Sequence, residues 1–248
     1  MAQQLKGYLP LFATNILMNY VEEDTDDLKQ HCIKSPDQLT RSHKQNKTEE
    51  EKALAMEDNF RILEEYPRIS DILLNKFKIA AKEMLGIPKT EFIITTSWIT
   101  LTEPGYDSQY HNHKNSFYSG VYYFDEYVEN CGDIEFQSPL GMFEDYYVPT
   151  ELNSIANARS WRLPAQSNIL LFFPSYLNHR VTENQSGKSR YSLAFNVVPT
   201  GFYGVGDSVM DTAWINGPPK NSGLTDDSNF NKFKYANHAM DSSWHKKK

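Results

Sequence analysis

Two histidines separated by one residue are the first feature of this sequence that could do chemistry. His111 and His113 stand at the entrance to SFYSGVYYF, an aromatic and β-branched segment over residues 116–124. In an extended chain, residues two apart point to the same side, so both imidazoles project together while Asn112 faces away. A strand can offer two metal ligands in this way, although a histidine pair by itself is a weak signal and a third ligand is needed.

A third histidine and an arginine follow in the second half of the chain. His179 comes after the apolar segment SNILLFF and a turn at residues 174–176, so we expect it at the mouth of a buried strand. Arg190 opens the segment RYSLAFN, and an arginine entering an apolar strand needs an anionic partner because an unpaired buried charge is costly. Its planar fork suits a carboxylate. A structural ion pair with one of the 32 acidic residues would also satisfy it.

The order of these residues and of the segments between them resembles a known family. His111-x-His113 is followed by SGVYYFD, GDIEF-x-x-P, His179 and Arg190-x-Ser192. This combination resembles the iron(II)- and 2-oxoglutarate-dependent oxygenases of the double-stranded β-helix fold. It looks most similar to such oxygenases from marine bacteria and their phages, and is more distantly similar to the prolyl-hydroxylase group. The resemblance spans about residues 97–199.

The resemblance implies a metal site and an activity. His111, His113 and His179 would bind Fe(II) and leave three coordination positions open. 2-Oxoglutarate would occupy two of them and O2 the third, and ascorbate could serve as a reductant. The implied reaction is hydroxylation of an unactivated C–H bond with release of succinate and CO2, and it needs no side chain as general base. The substrate class is left open between a small molecule and a peptide.

The resemblance also implies a pocket for the cosubstrate. Arg190 would hold the distal carboxylate of 2-oxoglutarate, and the Ser192 hydroxyl, two residues along the same strand face, would add a hydrogen bond. Tyr123 matches a position where the prolyl-hydroxylase group places a tyrosine against this carboxylate, with a core aromatic as the alternative. Trp98 and Thr100 alternate on the preceding strand and could line the pocket, although core packing is the commoner role of an aromatic on a strand.

The second ligand position departs from the commonest pattern of the family, which is two histidines and one carboxylate. With His113 there, the site is more cationic and depends more on an anionic cosubstrate. Asp133 or Glu135 could supply a carboxylate instead, but both lie beyond the next strand and match no ligand position.

Two further interpretations stay open. One is a three-histidine iron dioxygenase that uses no 2-oxoglutarate, in which Arg190 binds the substrate. The other is a non-catalytic cupin-like module that holds a metal. The Arg190-x-Ser192 pair favours the 2-oxoglutarate enzyme, and a purely structural metal is expected to have four ligands where three are found.

Hydrophobic periodicity predicts the elements that position these residues. Residues 70–85 repeat apolar side chains at helical spacing, with Ser70 as N-cap and Gly86 as the end. After Pro88 the period changes to two, and the predicted strands are 91–102, 116–124, 133–137, 167–173 and 190–198. Strands without long helices between them predict a sandwich or barrel. Together with the resemblance, this gives a mainly β protein with flanking helices: a double-stranded β-helix (jelly roll, cupin-like) with helices packed on one sheet.

The chain is expected to form one domain over residues 1–248. Its β-helix core is predicted over 91–199, preceded by a helical and extended layer over 1–90 and followed by a polar tail over 200–248. Within the first layer, residues 8–22 read as an extended segment at a sheet edge. The loops expected to carry substrate specificity are 22–58, 103–110, 138–160 and the tail.

Composition narrows the function classes. The 248 residues carry a net charge of −7 and a pI of about 5.5, which argues against general binding to nucleic acids or anionic membranes. The two cysteines, Cys32 and Cys131, are too few and too far apart for a disulfide framework or a cysteine-based zinc site. No signal peptide or membrane-length apolar run is recognised. We therefore expect a cytoplasmic protein, in the host cytoplasm if a phage encodes it.

Overall fold

The structure is a computed structural model that describes residues 13–41, 59–140, 154, 156–203 and 210–212. Its helices are α1 (Asp26–Lys34), α2 (Ile62–Glu65) and α3 (Pro67–Met84), with a 3-10 turn at Pro36–Gln38. Its strands are β1 (Leu17–Tyr20), β2 (Thr40–Arg41), β3 (Glu91–Thr102), β4 (Tyr118–Tyr122), β5 (Ile134–Gln137), β6 (Ser160–Leu163), β7 (Ile169–Pro174), β8 (His179–Val181), β9 (Arg190–Thr200), β10 (Phe202–Tyr203) and β11 (Met210–Asp211). The protein is mainly β with few helices, as predicted.

Two sheets carry the architecture of the described chain. The larger sheet has the order β1-β7-β4-β9-β3-β2 and the smaller sheet the order β6-β5-β8. The short segment at His111 extends the smaller sheet through a bridge to His179 in β8. Between β3 and β9 the chain therefore alternates between the two sheets. The larger sheet takes β3, β4, β7 and β9, and the smaller sheet takes the segments between them: the His111 segment, then β5 with β6, then β8. This alternation is that of a double-stranded β-helix, or jelly roll, and confirms the predicted fold.

The larger sheet separates two apolar cores. On β4, Tyr118 and Tyr122 belong to the core under the helices, whereas Val121 and the adjoining Tyr123 belong to the core between the two sheets. Strand β9 alternates in the same way, with Leu193 and the other odd-numbered residues toward the helices. Its even-numbered residues, beginning with Arg190, therefore face the space between the sheets. This inner face is where the candidate site lies.

Helix α3 packs on the outer face of the larger sheet, as predicted, but it begins earlier than expected. The assignment of Ser70 as N-cap is wrong, because the helix starts at Pro67 with Tyr66 as its N-cap. Proline is well suited to the first helical position, where its missing N–H costs no hydrogen bond. The predicted end is confirmed by Gly86, whose φ of +68° is readily available to glycine. Among the described residues, no helix has the length and apolar character needed to cross a membrane.

Several strands differ from the prediction. The long strand 91–102 is confirmed, and β1 lies at the edge of the larger sheet as predicted for its segment. Strands β6 and β8 were not predicted, since each is too short to show a clear alternation. The region after residue 200 was assigned as a tail, yet β10 and β11 pair there as antiparallel strands. The rest of that region, residues 204–209 and 213–248, lies outside the described residues, and the single domain stays a prediction.

Phe77 joins α3 to the larger sheet and should dominate the stability of this layer. The side chain is fully buried, and its ring centroid lies 5.0 Å from that of Phe92, 5.2 Å from Phe172 and 5.4 Å from Tyr118. We expect Phe77→Ala to lower the free energy of unfolding by about 3–5 kcal/mol through lost burial and a cavity. Urea denaturation measures this. Ile79→Ala on the same helix is the control, because Ile79 is 54% exposed and its truncation should cost little.

Candidate metal centre and cosubstrate pocket

Backbone hydrogen bonds bring the three predicted histidines together. The N–H of His111 donates to the carbonyl of His179 at 3.0 Å, and the N–H of His179 donates back to His111 at 2.9 Å. The N–H of His113 donates to the carbonyl of Ser175, in the turn that leads into β8, at 2.9 Å. His179 thus lies within β8 itself, not merely at the mouth of β7. Main-chain contacts fix all three histidines at the same end of the smaller sheet.

The imidazole nitrogens converge on one point. One ring nitrogen from each of His111, His113 and His179 lies within 4.8 Å of the others, and the Nε2 atoms of His113 and His179 are 3.3 Å apart. The Nδ1 of His111 donates to the Gln109 carbonyl at 2.8 Å and the Nδ1 of His179 to the Leu177 carbonyl at 2.9 Å. A carbonyl only accepts, so the proton is on Nδ1 and the Nε2 lone pair is available for a metal.

The electrostatics of the cluster favour neutral imidazoles. Burial lowers the pKa of His113 to about 4, with a smaller contribution from His111. Burial likewise lowers the pKa of His179 to about 3; the neighbouring histidines add to this, while the Leu177 carbonyl acts in the opposite direction. At neutral pH both side chains are therefore unprotonated, which is the form that binds a metal. The donor set fits a divalent transition metal such as Fe(II).

Aromatic side chains surround the cluster on its protein side. The Phe173 ring lies 4.6 Å from that of His179, and the Trp98 ring stacks on His113 at 5.5 Å. Trp98 is partly exposed and belongs to neither apolar core, so it lines the site instead of filling the interior. The Phe60 ring lies 6.0 Å from that of Trp98, edge to face, a contact that no sequence pattern indicated. His111 is exposed, which leaves the cluster open to solvent on its side.

Neither alternative carboxylate joins the histidines. Within the described residues, the cluster that could hold a metal contains only His111, His113 and His179. The Glu135 carboxylate is occupied by Ser160 at 2.7 Å, Arg180 at 2.7 Å and Arg162 at 3.2 Å. Asp133 is likewise outside the cluster. The donor set in this structure is three imidazoles without a negative charge.

Arg190 is buried in the same interior, where no carboxylate of the described residues pairs with it. The residue is 4% exposed, and its Nη2 donates to the Thr102 hydroxyl at 3.1 Å. Among the described residues, no hydrogen-bond acceptor meets its Nε or Nη1. Within the described part of the chain, the structural ion pair that the sequence left open is therefore not formed. A buried guanidinium with two unsatisfied donors is costly alone and fits a bidentate carboxylate ligand.

The other predicted pocket residues adjoin Arg190. The Tyr123 ring faces its guanidinium, with 5.3 Å between the guanidinium carbon and the ring centroid. Burial raises the pKa of the Tyr123 hydroxyl, and Arg190 partly offsets this, so the phenol is a neutral donor at physiological pH. Ser192 is buried on the inner face of β9 opposite Thr100 of β3. These residues could therefore contact a ligand that lies between Arg190 and the histidines.

A known family model matches the part of the chain that contains these candidate site residues. Residues 96–196, about two fifths of the chain, match the family model described as "Putative 2OG-Fe(II) oxygenase". The match covers the three histidines, Arg190 and Ser192. No curated relative matches the sequence.

Solved structures with some likeness include a prolyl-4-hydroxylase from Pseudomonas putida, with 14% identity, a TM-score of 0.42 and coverage of 74% of this chain and 86% of that one. An oxidoreductase of the 2OG-Fe(II) oxygenase family from Burkholderia pseudomallei has 11% identity, a TM-score of 0.37 and coverage of 48% and 50%. The carbocyclase SnoK from nogalamycin biosynthesis has 14% identity, a TM-score of 0.39 and coverage of 57% and 63%. Because these superpositions are loose, the fold assignment depends on the strand order and not on them.

The strand order is that of a jelly roll, and its three histidines form a candidate metal centre. Within it, residues 96–196 match the model of a 2OG-Fe(II) oxygenase domain, which is an oxidoreductase. A special closeness to marine bacterial or phage enzymes is not among the findings. The assignment of individual residues to iron and 2-oxoglutarate remains a prediction for experiment.

Removing any one of the three imidazoles should impair metal binding. We expect His111→Ala, His113→Ala and His179→Ala each to weaken Co(II) binding by more than the roughly 10- to 100-fold that loss of an outer-shell partner costs. Calorimetric titration of metal-free protein measures this. Asn112→Ala is the control, because its amide donates to Asn178 and not to the cluster. Equal affinity in a folded histidine variant and the unmodified protein would remove that histidine from the ligand set.

Proposed function

We propose that this protein is an Fe(II)- and 2-oxoglutarate-dependent dioxygenase that hydroxylates an unactivated C–H bond. The observation that carries the proposal is Arg190, a buried guanidinium with two unsatisfied donors inside the same jelly roll as the three-histidine cluster. A metal site alone is common to many jelly-roll proteins. A buried cation within reach of it specifies a second, anionic ligand.

The separation of the two groups suits 2-oxoglutarate. Trp98, which stacks on His113, and Thr102, which accepts from Arg190, both face inward on β3. Four residues of strand place their Cα atoms about 13 Å apart. A five-carbon diacid and the long side chain of Arg190 can together cover that length. One carboxylate would then lie at the metal and the other at Arg190.

Different residues of the chain would have different roles in this reaction. With iron and 2-oxoglutarate bound, the cofactor supplies oxidation of the C–H bond by O2, with succinate and CO2 as coproducts. His111, His113 and His179 would hold the metal, while Arg190, Ser192 and Tyr123 would orient the cosubstrate. Phe173 and Phe136 keep water from the protein side of His179. The exposed side of His111 is open to the substrate.

The remaining parts of the proposal concern the setting of the reaction. The substrate is a small molecule or a peptide that reaches the site from the exposed side of His111. Ascorbate is a candidate reductant for keeping the iron ferrous, and the reaction takes place in the cytoplasm. General binding to nucleic acids or membranes is not part of the proposed function, because the chain is acidic overall.

A second function is supported by the donor set itself. Three imidazoles without a carboxylate also suit a dioxygenase that cleaves its substrate without 2-oxoglutarate, with Arg190 binding a carboxylate of the substrate. The two functions differ in whether 2-oxoglutarate alone binds to the iron-loaded protein.

Anaerobic titration of Fe(II)-loaded protein with 2-oxoglutarate tests the proposal. Bidentate chelation should produce a weak visible charge-transfer band that saturates with 2-oxoglutarate. We expect Arg190→Met to retain iron and to weaken 2-oxoglutarate binding by at least roughly 30-fold, because a buried charge pair loses one partner. Arg68→Met is the control, since Arg68 is an exposed arginine of α3.

The outcomes separate the candidate functions. Iron binding without a band favours the three-histidine dioxygenase, and failure to bind iron leaves a binding module. An Arg190→Met protein with unchanged 2-oxoglutarate affinity would show that Arg190 does not bind the cosubstrate.

A further inference from the structure

A buried carboxylate lies on the opposite side of the smaller sheet from the histidine cluster. Glu135 is only 4% exposed, although it is charged and sits in the middle of β5. Its Oε1 accepts from the Ser160 hydroxyl at 2.7 Å and from the Arg162 Nε at 3.2 Å. Its Oε2 accepts from Arg180, with the Nε at 2.7 Å and the Nη2 at 2.6 Å. Two guanidinium groups and a hydroxyl thus meet on one carboxylate.

Strand alternation connects this carboxylate to the candidate ligands. In the pairing of β5 with β8, Glu135 is opposite Arg180 and Phe136 is opposite His179. Phe136 and His179 face inward, where their ring centroids lie 6.2 Å apart. Glu135 and Arg180 therefore face outward. An ion pair on the outer face holds the residue adjacent to His179.

The same arginine contacts the segment that carries the other ligands. The guanidinium carbon of Arg180 lies 4.8 Å from the centroid of the Tyr110 ring, a cation–π contact. Tyr110 directly precedes His111. The guanidinium of Arg180, the residue next to His179, therefore links Glu135 to Tyr110, the residue next to His111, across the outer face of the sheet. Arg162 binds the same carboxylate but comes from β6, which carries none of the three histidines.

Stability alone is a weak explanation for such a group. Burial by itself would raise the pKa of Glu135, but the hydrogen bonds from Ser160, Arg180 and Arg162 outweigh it and lower the pKa to about 2. The side chain is thus an anion at neutral pH. Desolvating the carboxylate and, in part, the Arg180 guanidinium offsets much of their mutual attraction, and Arg162 is 56% exposed, so these ion pairs add little net stability. Their geometry, in contrast, constrains the strands that they join.

We propose that Glu135 is a positioning residue, which acts through Arg180 and Tyr110 to hold His179 and His111 at metal-binding distance. This role rests on the proposed metal site and goes beyond it, because it assigns the alignment of two ligands to a carboxylate that touches neither. His113 is anchored separately, through Ser175.

The two arginines on Glu135 provide a matched test. Arg180→Met and Arg162→Met each remove one guanidinium from the same carboxylate, but only Arg180 adjoins a ligand. We expect Arg180→Met to weaken Co(II) binding by roughly 10- to 100-fold and to alter the visible spectrum of the Co(II) protein. Arg162→Met should stay within about twofold of the unmodified protein and keep its spectrum. Calorimetry and absorption spectroscopy give the two readouts, with thermal unfolding of the metal-free proteins recorded alongside.

A second pair of variants keeps the test decisive if Arg180→Met does not fold. Tyr110 is 40% exposed, so its replacement should leave the fold intact. Tyr110→Phe retains the ring over Arg180 but loses the hydroxyl that interacts with Glu135, so it should lower the Co(II) affinity less than Tyr110→Ala does. Tyr110→Ala removes the ring and should lower the affinity.

Particular results would overturn the role of Glu135. It is wrong if Arg180→Met and Arg162→Met unfold at similarly reduced temperatures while both keep the unmodified Co(II) affinity and spectrum. It is equally wrong if Tyr110→Ala and the unmodified protein bind Co(II) alike. Failure of the proposed function looks different: the unmodified protein would bind Co(II) but give no charge-transfer band with iron and 2-oxoglutarate. If the unmodified protein bound no Co(II), both proposals would fail together.

Discussion

Two reciprocal backbone hydrogen bonds between His111 and His179 are the contact on which the candidate site depends. They join segments far apart in sequence into neighbouring positions of one sheet, and main-chain bonds fix those positions independently of the side chains. Because strand residues alternate in direction, the same pairing puts the imidazoles inside and Tyr110 and Arg180 outside. The candidate metal ligands then lie together on the inner face, while contacts on the outer face hold the strands that carry them.

The distribution of charge follows from this division. The described inner face contains neutral imidazoles and the cation of Arg190, with no carboxylate in the metal cluster. The carboxylate of Glu135 lies on the outer face of the smaller sheet, where Arg162 and Arg180 neutralise its charge. A negatively charged ligand would therefore balance the interior. With His113 where the commonest pattern has a carboxylate, that requirement would be greater, which favours the proposed dicarboxylate cosubstrate.

Much of the scaffold could be predicted from periodicity, and the errors have physical reasons. The strand 91–102 is rich in β-branched residues and was predicted with its observed ends, although a register shift between Ile94 and Thr96 interrupts its alternation. Strand β8 has three residues, too few for a period to be recognised, although it contains His179. The start of α3 was placed at Ser70 because a polar cap is a common signal, whereas Pro67 already provides the first turn.

The sequence by itself determined the residue types, the H-x-H spacing on an extended segment, and the order of motifs that resembles the oxygenase family. It left open whether Arg190 pairs with a carboxylate of the chain, and whether Glu135 could replace His113 as a ligand. Tertiary structure decided both, because each depends on which side of a paired strand a group occupies and on what lies across from it. Pairing between β5 and β8 turned Glu135 outward onto Arg180, and burial between the sheets left Arg190 without an anion from the described residues.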